Sequence, residues 1–395
     1  MQNKKVIIFW NERLHEQRGG IHRVILLLLK HLPQRGFDVQ YLYTLDNYKT
    51  FNIYSPNLSK EHNFGVECLR SYLVDNKCDI VVGQDAALSS KLTEIIRSFN
   101  LINIKLINEY HSSFLLIPAK LTRDYLKFEF EQNHSLKSRI SVAVKYLLYP
   151  LWKKKVWKNI SDSFRYNLVN SDISLLLTER EIPIAQTILG NKKETKLVAI
   201  NNPLSWEEIA SPSILDRKKK EVLVVARLYN PEKRIDLVLK IWNLLLERGI
   251  AGDWTLRICG DGLHKDYLMQ LAEKLYLRNV IWEGWCDPKP FYETSSIFMM
   301  TSACEGWGLT LTESMQSGTV PLAFSTYPAV YDIINDGYDG FVVNPNDINV
   351  YADRMEKLMV DSEYRHKIAL NALDSCKRFS TKKIMDKWAE MLHSV

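Results

Sequence analysis

Residues 302–318 read SACEGWGLTLTESMQSG and set two carboxylates, Glu305 and Glu313, eight positions apart around a Gly-Trp-Gly turn. Paired acids serve proton transfer or bind hydroxyl groups, and the elements that carry them decide which. IFMMTS, just before, reads as a strand, and TLTESMQSG as a helix ending at Gly318. With Thr310 as N-cap, Glu313 is the N3 residue and the two form a capping box. Glu305 falls instead in the preceding loop, beside Gly306 and Gly308, whose missing side chains leave N–H groups open to a ligand. The two acids therefore flank a glycine-lined loop rather than share a helical face.

Cations occupy a second junction. VVARLYNPEKRIDLVLKIW puts Arg227 just past a strand and Lys233 just before the periodic run Ile235, Leu237, Val238, Leu239, Ile241, Trp242. Two cations where a strand meets a helix suit a diphosphate; a solvated Pro-Glu-Lys-Arg turn is the plainer alternative. CGDGLHKDYL adds a strand-glycine-helix junction at Gly260 and Gly262. Near the start, Gly19 and Gly20 lie between KVIIFW and IHRVILLLLKHL, with Arg23 on the first helical turn. Such glycines make either a plain turn or a loop that lets an anion approach a helix N-terminus. The spacing is not G-x-G-x-x-G, so a nicotinamide site is not indicated. His111, in INEYHSSF, follows a strand run and is structural or functional on equal grounds.

These residues need a scaffold, and the chain supplies alternation. VQYLY, DIVVG, IKLINEY and DISLLL continue a first series of strands; VLVVA, WTLRIC, VIW, IFMMTS, VPLAF and GFVV make a second, with helical stretches between most of them. Alternation of this kind predicts an α/β protein with parallel sheets covered by helices. At 395 residues and 46% hydrophobic composition the chain suits two domains. The expected layout is two Rossmann-like domains facing a central cleft: residues 1–200, a linker at 201–220, residues 221–375, and a C-terminal helix in 376–395 packing back on the first domain. Ligands belong at the carboxyl ends of the strands.

The formal charge of +6 says little by itself, because placement matters more than the sum. Between Gln132 and Ser161, however, lie Lys137, Arg139, Lys145, Lys153, Lys154, Lys155 and Lys158 with no acid, interleaved with Tyr146, Leu147, Leu148, Tyr149, Leu151, Trp152, Val156 and Trp157. That mixture suits a solvated helix packed by its aromatics, or an anionic membrane surface. No recognition helix, zinc finger or RNA-binding signature points to nucleic acid. Six scattered cysteines without metal spacing read as reduced thiols, and the opening apolar run is too short for a signal peptide, so a cytoplasmic protein is expected.

With VARLYNPEKRIDLVLKIW, LRICGDG, NVIWEGW and above all EGWGLTLTE in place, the chain resembles the retaining, nucleotide-sugar-dependent glycosyltransferases of the two-Rossmann-domain (GT-B) type, glycosyltransferase family 4, with its E-x7-E motif. The resemblance implies transfer from a nucleotide-sugar donor, UDP-linked, to a cell-surface polysaccharide or lipid-linked glycan at the inner membrane face. It further implies that Gly19 and Gly20 approach the diphosphate and that Arg227 and Lys233 neutralise it. His111 would contact the transferred sugar, and Glu305 its hydroxyls. Gly306, Trp307, Gly308 and Leu309 would lend backbone contacts, Glu313 would hold the ribose, and Gly260, Trp285 and Cys286 would line the nucleotide site. NNPLSW replaces the commoner Asn-Gly-Val-Asp segment at the domain junction. No DxD-type motif is present, so no metal and no separate cofactor are expected. Two alternatives share the scaffold: a non-catalytic nucleotide-sugar-binding protein, and a nucleotide-sugar epimerase.

Overall fold

The computed structural model describes all residues except 1–2, 16–18, 47, 55–62, 85–89, 115–122, 133–134 and 191–195, so Asn133 and His134 of the basic stretch lie outside the described residues. The chain forms two compact units, one of Met1–Phe114, Lys154–Pro203 and Thr381–Val395, the other of Leu115–Lys153 and Leu204–Ser380. Each is built on its own sheet. The chain thus passes between units more than once. Residues 204–218 are not an open linker: Leu204, Ile214 and Leu215 are buried in the second unit, and Pro212–Arg217 forms a 3₁₀ helix.

The first sheet has the order β4-β3-β2-β1-β5-β6-β7-β8. Its strands are β1 (Lys4–Trp10), β2 (Phe37–Tyr43), β3 (Thr50–Tyr54), β4 (Asn63–Gly65), β5 (Ile80–Gly83), β6 (Lys105–Tyr110), β7 (Ile173–Leu176) and β8 (Lys196–Ala199). Val6 to Trp10 are all buried, as a strand covered on both faces requires. β1 pairs in parallel with β2 and β5, and parallel pairing continues through β8. The edge departs from the expected all-parallel pattern: β3 is antiparallel to both β2 and β4. These edge strands are short and half polar, and give no buried apolar run to read from sequence.

The second sheet runs β11-β10-β9-β12-β13-β14, parallel at every pairing. Its strands are β9 (Lys219–Val225), β10 (Thr255–Cys259), β11 (Val280–Gly284), β12 (Ser295–Met300), β13 (Val320–Phe324) and β14 (Phe341–Val343). β12 and β13 are buried along their whole lengths. The helix Ile235–Glu247 seats Val238, Ile241, Trp242 and Leu245 in the core against Val222, Val224 and Leu256. In each sheet the first strand, β1 or β9, has later strands on both sides, β2 and β5 or β10 and β12, so the strand order reverses there, and crevices open at the carboxyl end of such strands. This is the two-sheet GT-B architecture.

The last helix, Thr381–His393, belongs to the first unit. Ile384, Met385, Trp388 and Leu392 join Val6, Ile8 and Val24 in its core. Lys4 Nζ donates to the carbonyls of Leu392, His393 and Val395. Trp388 fills this core, so Trp388→Ala should destabilise the first unit by about 3–5 kcal/mol. Urea unfolding followed by a probe in that unit would read the loss; a change under 1 kcal/mol, about the cost of a surface substitution, would show that the helix is not part of the core.

Candidate functional site

In the second unit the loop after β9 is fixed on two sides. Ala226 N–H donates to the Cys259 carbonyl and Leu228 N–H to that of Asp261, so the backbone follows the end of β10. The approach is so close that a Cβ on Gly260, at φ +150°, would lie 1.8 Å from the Ala226 oxygen. Gly260 N–H is itself bonded to the Gly284 carbonyl at 2.7 Å. Glycine is required there by backbone contact, and its N–H is engaged within the protein.

On the other side, Ala303 N–H donates to the Glu232 carbonyl at 2.7 Å, and Thr301 Oγ1 reaches the carbonyls of Lys233 and Arg234 at 3.0 and 2.9 Å. Arg234 is left-handed (φ 49°), which ends the short helix Asn230–Lys233 and starts the next. Asn230 Oδ1 accepts from Asp236 N–H across that break. The result is a lysine on an immobilised backbone. Lys233 Nζ lies 2.5 Å from Glu305 Oε1, and Ser302 Oγ donates to the same oxygen at 2.6 Å. Among the described residues Glu305 Oε2 takes no hydrogen bond. A carboxylate held through one oxygen keeps the other for hydroxyl groups, while the lysine beside it can meet a phosphate.

Arg227 is not part of that cluster. Its guanidinium is exposed, pairs with Glu232 at 2.9 Å and lies 5.7 Å from the Tyr229 ring. Glu313 is separate again. The helix runs Leu309–Gln316 with Gly308 as its N-cap (φ 92°) and no side-chain cap, so the expected Thr310–Glu313 capping box does not form. Thr310 Oγ1 points to Met300 Sδ, and Glu313 is buried, accepting from Ser205 Oγ at 2.6 Å. The capping box fails because a left-handed glycine starts the helix before Thr310 is reached. A Cβ at Gly308 would sit 2.5 Å from the Tyr327 hydroxyl, a buried group without a partner among the described residues. Burial, with the Glu305 carboxylate next, drives that hydroxyl far above its ordinary range. Trp307 is buried against Phe379, ring centroids 5.1 Å apart, and Leu309 opens the helix behind Gly306 and Gly308. Trp285 is exposed and Cys286 half-buried, following β11.

In the first unit Gly20 caps the helix Ile21–His31 at φ 64°, and a Cβ on Gly19 or Gly20 would meet nothing within 4 Å. Here the glycines face open space, unlike Gly260. His111, just past β6, belongs to a group that sequence reading did not reveal. Gly83 is in register with Asn108, which puts Gln84 beside Glu109, and His111 two residues on shares Glu109's face. Gln84 Nε2 donates to Glu109 Oε2 at 2.8 Å, and Gln84 Oε1 contacts His111 Nε2. His111 Nε2 is 3.7 Å from Glu109, with side-chain exposures of 5% and 1%. Burial pushes the Glu109 carboxyl up to about 8 and holds His111 down to about 3. Ser113 Oγ donates to the buried Glu181, and Phe114 packs on Tyr110 and Phe164, so the loop after His111 is anchored. Among the described residues no group of three His, Cys, Asp or Glu side chains gathers at metal-binding spacing.

Residues 206–374 match the family described as Glycosyl transferases group 1. An uncharacterized glycosyltransferase of Haemophilus influenzae is 24% identical over 387 residues, 95% of this chain and 96% of that protein. An alpha-1,4-N-acetyl-D-galactosaminyltransferase of Campylobacter jejuni, named for a diNAcBac-PP-undecaprenol glycan, is 24% identical over 203 residues; the match covers 51% of this chain and 55% of that protein. Among solved structures, the pneumococcal O-GlcNAc transferase GtfA in complex with UDP and GlcNAc superposes with a TM-score of 0.68 at 12% identity, over 100% of this chain and 99% of that one.

The close approach at Gly260 carries its own test. Gly260→Ala should cost about 2 kcal/mol or more of second-unit stability, through strain and displacement of the Ala226 carbonyl. A variant that unfolds like the parent in urea would place the strain elsewhere.

Proposed function

We propose that this chain, whose residues 206–374 match the Glycosyl transferases group 1 family, transfers a sugar from a nucleotide donor to a polysaccharide or lipid-linked glycan. The observation that carries this reading is the Lys233–Glu305–Ser302 cluster on its fixed loop at the carboxyl ends of β9 and β12. Breaking the anomeric carbon–oxygen bond leaves positive charge on the sugar and negative charge on the departing diphosphate. Lys233 meets the second, with Arg227 available from its exposed position, so the reaction runs without a metal. Glu305 binds sugar hydroxyls through the oxygen not used by Lys233 and Ser302. Gly19 and Gly20 admit the diphosphate to a helix N-terminus, His111 contacts the sugar, and Glu313 holds the ribose. Gly306, Trp307, Gly308 and Leu309 offer backbone, and Trp285 and Cys286 border the base. A glycosidase would need an acid and a nucleophile or base flanking one bond, and Glu313, engaged by Ser205, is not so placed. The leaving phosphate takes the acceptor's proton, with retention at the anomeric carbon. A UDP donor is supported by the UDP present in the similar GtfA structure, and a lipid-linked acceptor by the Campylobacter relative's name.

The acceptor side includes a membrane-facing surface. The helix Leu136–Leu147 exposes Leu136, Ile140, Val144 and Leu147 at three- and four-residue spacing, and Leu148 and Leu151 continue the stripe. Leu136, Leu147 and Leu151 are 75%, 78% and 67% exposed. Lys137, Arg139, Lys145, Lys153, Lys154, Lys155 and Lys158 flank it. Tyr146 is exposed and Tyr149 half-buried, with the Arg123 guanidinium over their rings at 5.4 and 5.3 Å. No helix among the described residues is long and apolar enough to cross a membrane. Leucines between lysines fit the anionic inner face of the cell membrane.

Radiolabelled nucleotide sugars, offered with membranes or lipid extract in EDTA, test the activity. Acceptor-dependent product of retained anomeric configuration supports it, no transfer from any donor sinks it, and free sugar with nucleotide would indicate epimerisation. Lys233→Ala should lower turnover by about 100-fold or more, as loss of a fixed charge does at a developing anion, with an unchanged circular dichroism spectrum; parental turnover would remove Lys233 from the site. Replacing Lys153, Lys154 and Lys155 by Glu should reduce co-sedimentation with phosphatidylglycerol vesicles at low salt, and undiminished recovery would refute the membrane surface.

A further inference from the structure

The geometry points to Gln84 and Glu109 as positioning residues that fix the ring tautomer of His111, with the proton on Nε2 and the lone pair on Nδ1. This rests on the reading of His111 as a sugar contact, and it names the group that contact accepts: a hydroxyl that donates a hydrogen bond.

The argument begins at the buried end. Glu109 Oε2 accepts from Gln84 Nε2 at 2.8 Å, which commits the amide nitrogen to the carboxyl and turns the amide oxygen to the histidine. An amide oxygen only accepts, so the His111 nitrogen that meets it must be the one bearing hydrogen. In a neutral imidazole the other nitrogen is then an acceptor. The ring is neutral because burial holds His111 down to about 3, so the lone pair persists across the physiological range. Burial also pushes Glu109 up to about 8; a neutral carboxyl still offers an acceptor oxygen to Gln84. Gln84 and Glu109 are both enclosed, and the Gln84 amide bridges the carboxyl to the ring, whose Nε2 lies 3.7 Å from Glu109. Gln84 N–H is bonded to the Phe9 carbonyl at 2.9 Å, so the relay hangs on the sheet itself.

Without the carboxyl, the Gln84 amide loses the contact that orients it. It can then rotate and present its N–H₂ to His111, favouring the opposite tautomer. His111 Nδ1 would become a donor, and the direction of its contact with a sugar hydroxyl would reverse. Glu109→Gln keeps an acceptor oxygen at the same place; Glu109→Leu keeps volume and removes it.

Histidine-selective ¹⁵N labelling, with His111→Gln to assign the resonance, reads the tautomer directly at neutral pH. The parent should show His111 protonated at Nε2; protonation at Nδ1 would overturn the proposal without any variant at Glu109. Glu109→Leu should shift the ring toward a mixture and lower kcat for sugar transfer on the order of tenfold or more, since a misassigned tautomer is costly at a catalytic histidine, with the donor KM little changed. Glu109→Gln should restore both the parental spectrum and kcat. An unchanged tautomer in Glu109→Leu refutes the relay. A correct tautomer in a protein that turns over no donor refutes the transferase reading instead and leaves the relay standing.

Discussion

The loop that leaves β9 has almost no freedom, and the site of the second unit is a consequence. One side is stitched to the end of β10 so tightly that only glycine fits at 260. The other is held by Thr301 and Ala303, from the end of β12. Parallel sheets bring the carboxyl ends of neighbouring strands to one edge, and here that edge is cross-linked by backbone hydrogen bonds together with the Thr301 hydroxyl. Lys233 and Glu305, seventy-two residues apart, then need only short reaches to meet. Fixed charges of this kind need no reorganisation when charge develops on a ligand.

The first unit builds its group by another route. Register alone sets Gln84 beside Glu109, and the two-residue period of a strand sets His111 on the same face. Burial then decides the protonation of both ends. The two units thus use the same sheet edge for opposite electrostatic purposes, one keeping a paired charge partly exposed, the other keeping an enclosed chain neutral.

Much of this was legible in the residues. Buried runs such as VIIFW and IFMMT mark parallel strands because they lack alternation, and the strand-to-helix junctions at 227–235 and 305–313 follow from them. β3 and β4 were not legible, because short half-polar edge strands resemble loops. The capping box was misread because a sequence pattern does not report φ, and Gly308 took the cap. Glu109 and Ser205 escaped for a further reason: their partners lie across the fold, and only strand register or a tertiary contact brings Gln84 and Glu313 to them. The glutamate-x-histidine spacing at the end of β6 was the one local hint.

Trp307 has a wider reach than its place in the glycine turn suggests. Its ring rests edge-on against Phe379, and the Phe379 carbonyl accepts from Leu204 N–H at 2.9 Å. Phe379 and Leu204 stand beside two of the points where the chain enters and leaves the second unit, after Pro203 and after Ser380. The turn that carries Glu305 is therefore braced on the paired segments of this crossing. A smaller ring at either position would leave a void against the other, so the glycine turn and the chain crossing share one packing contact.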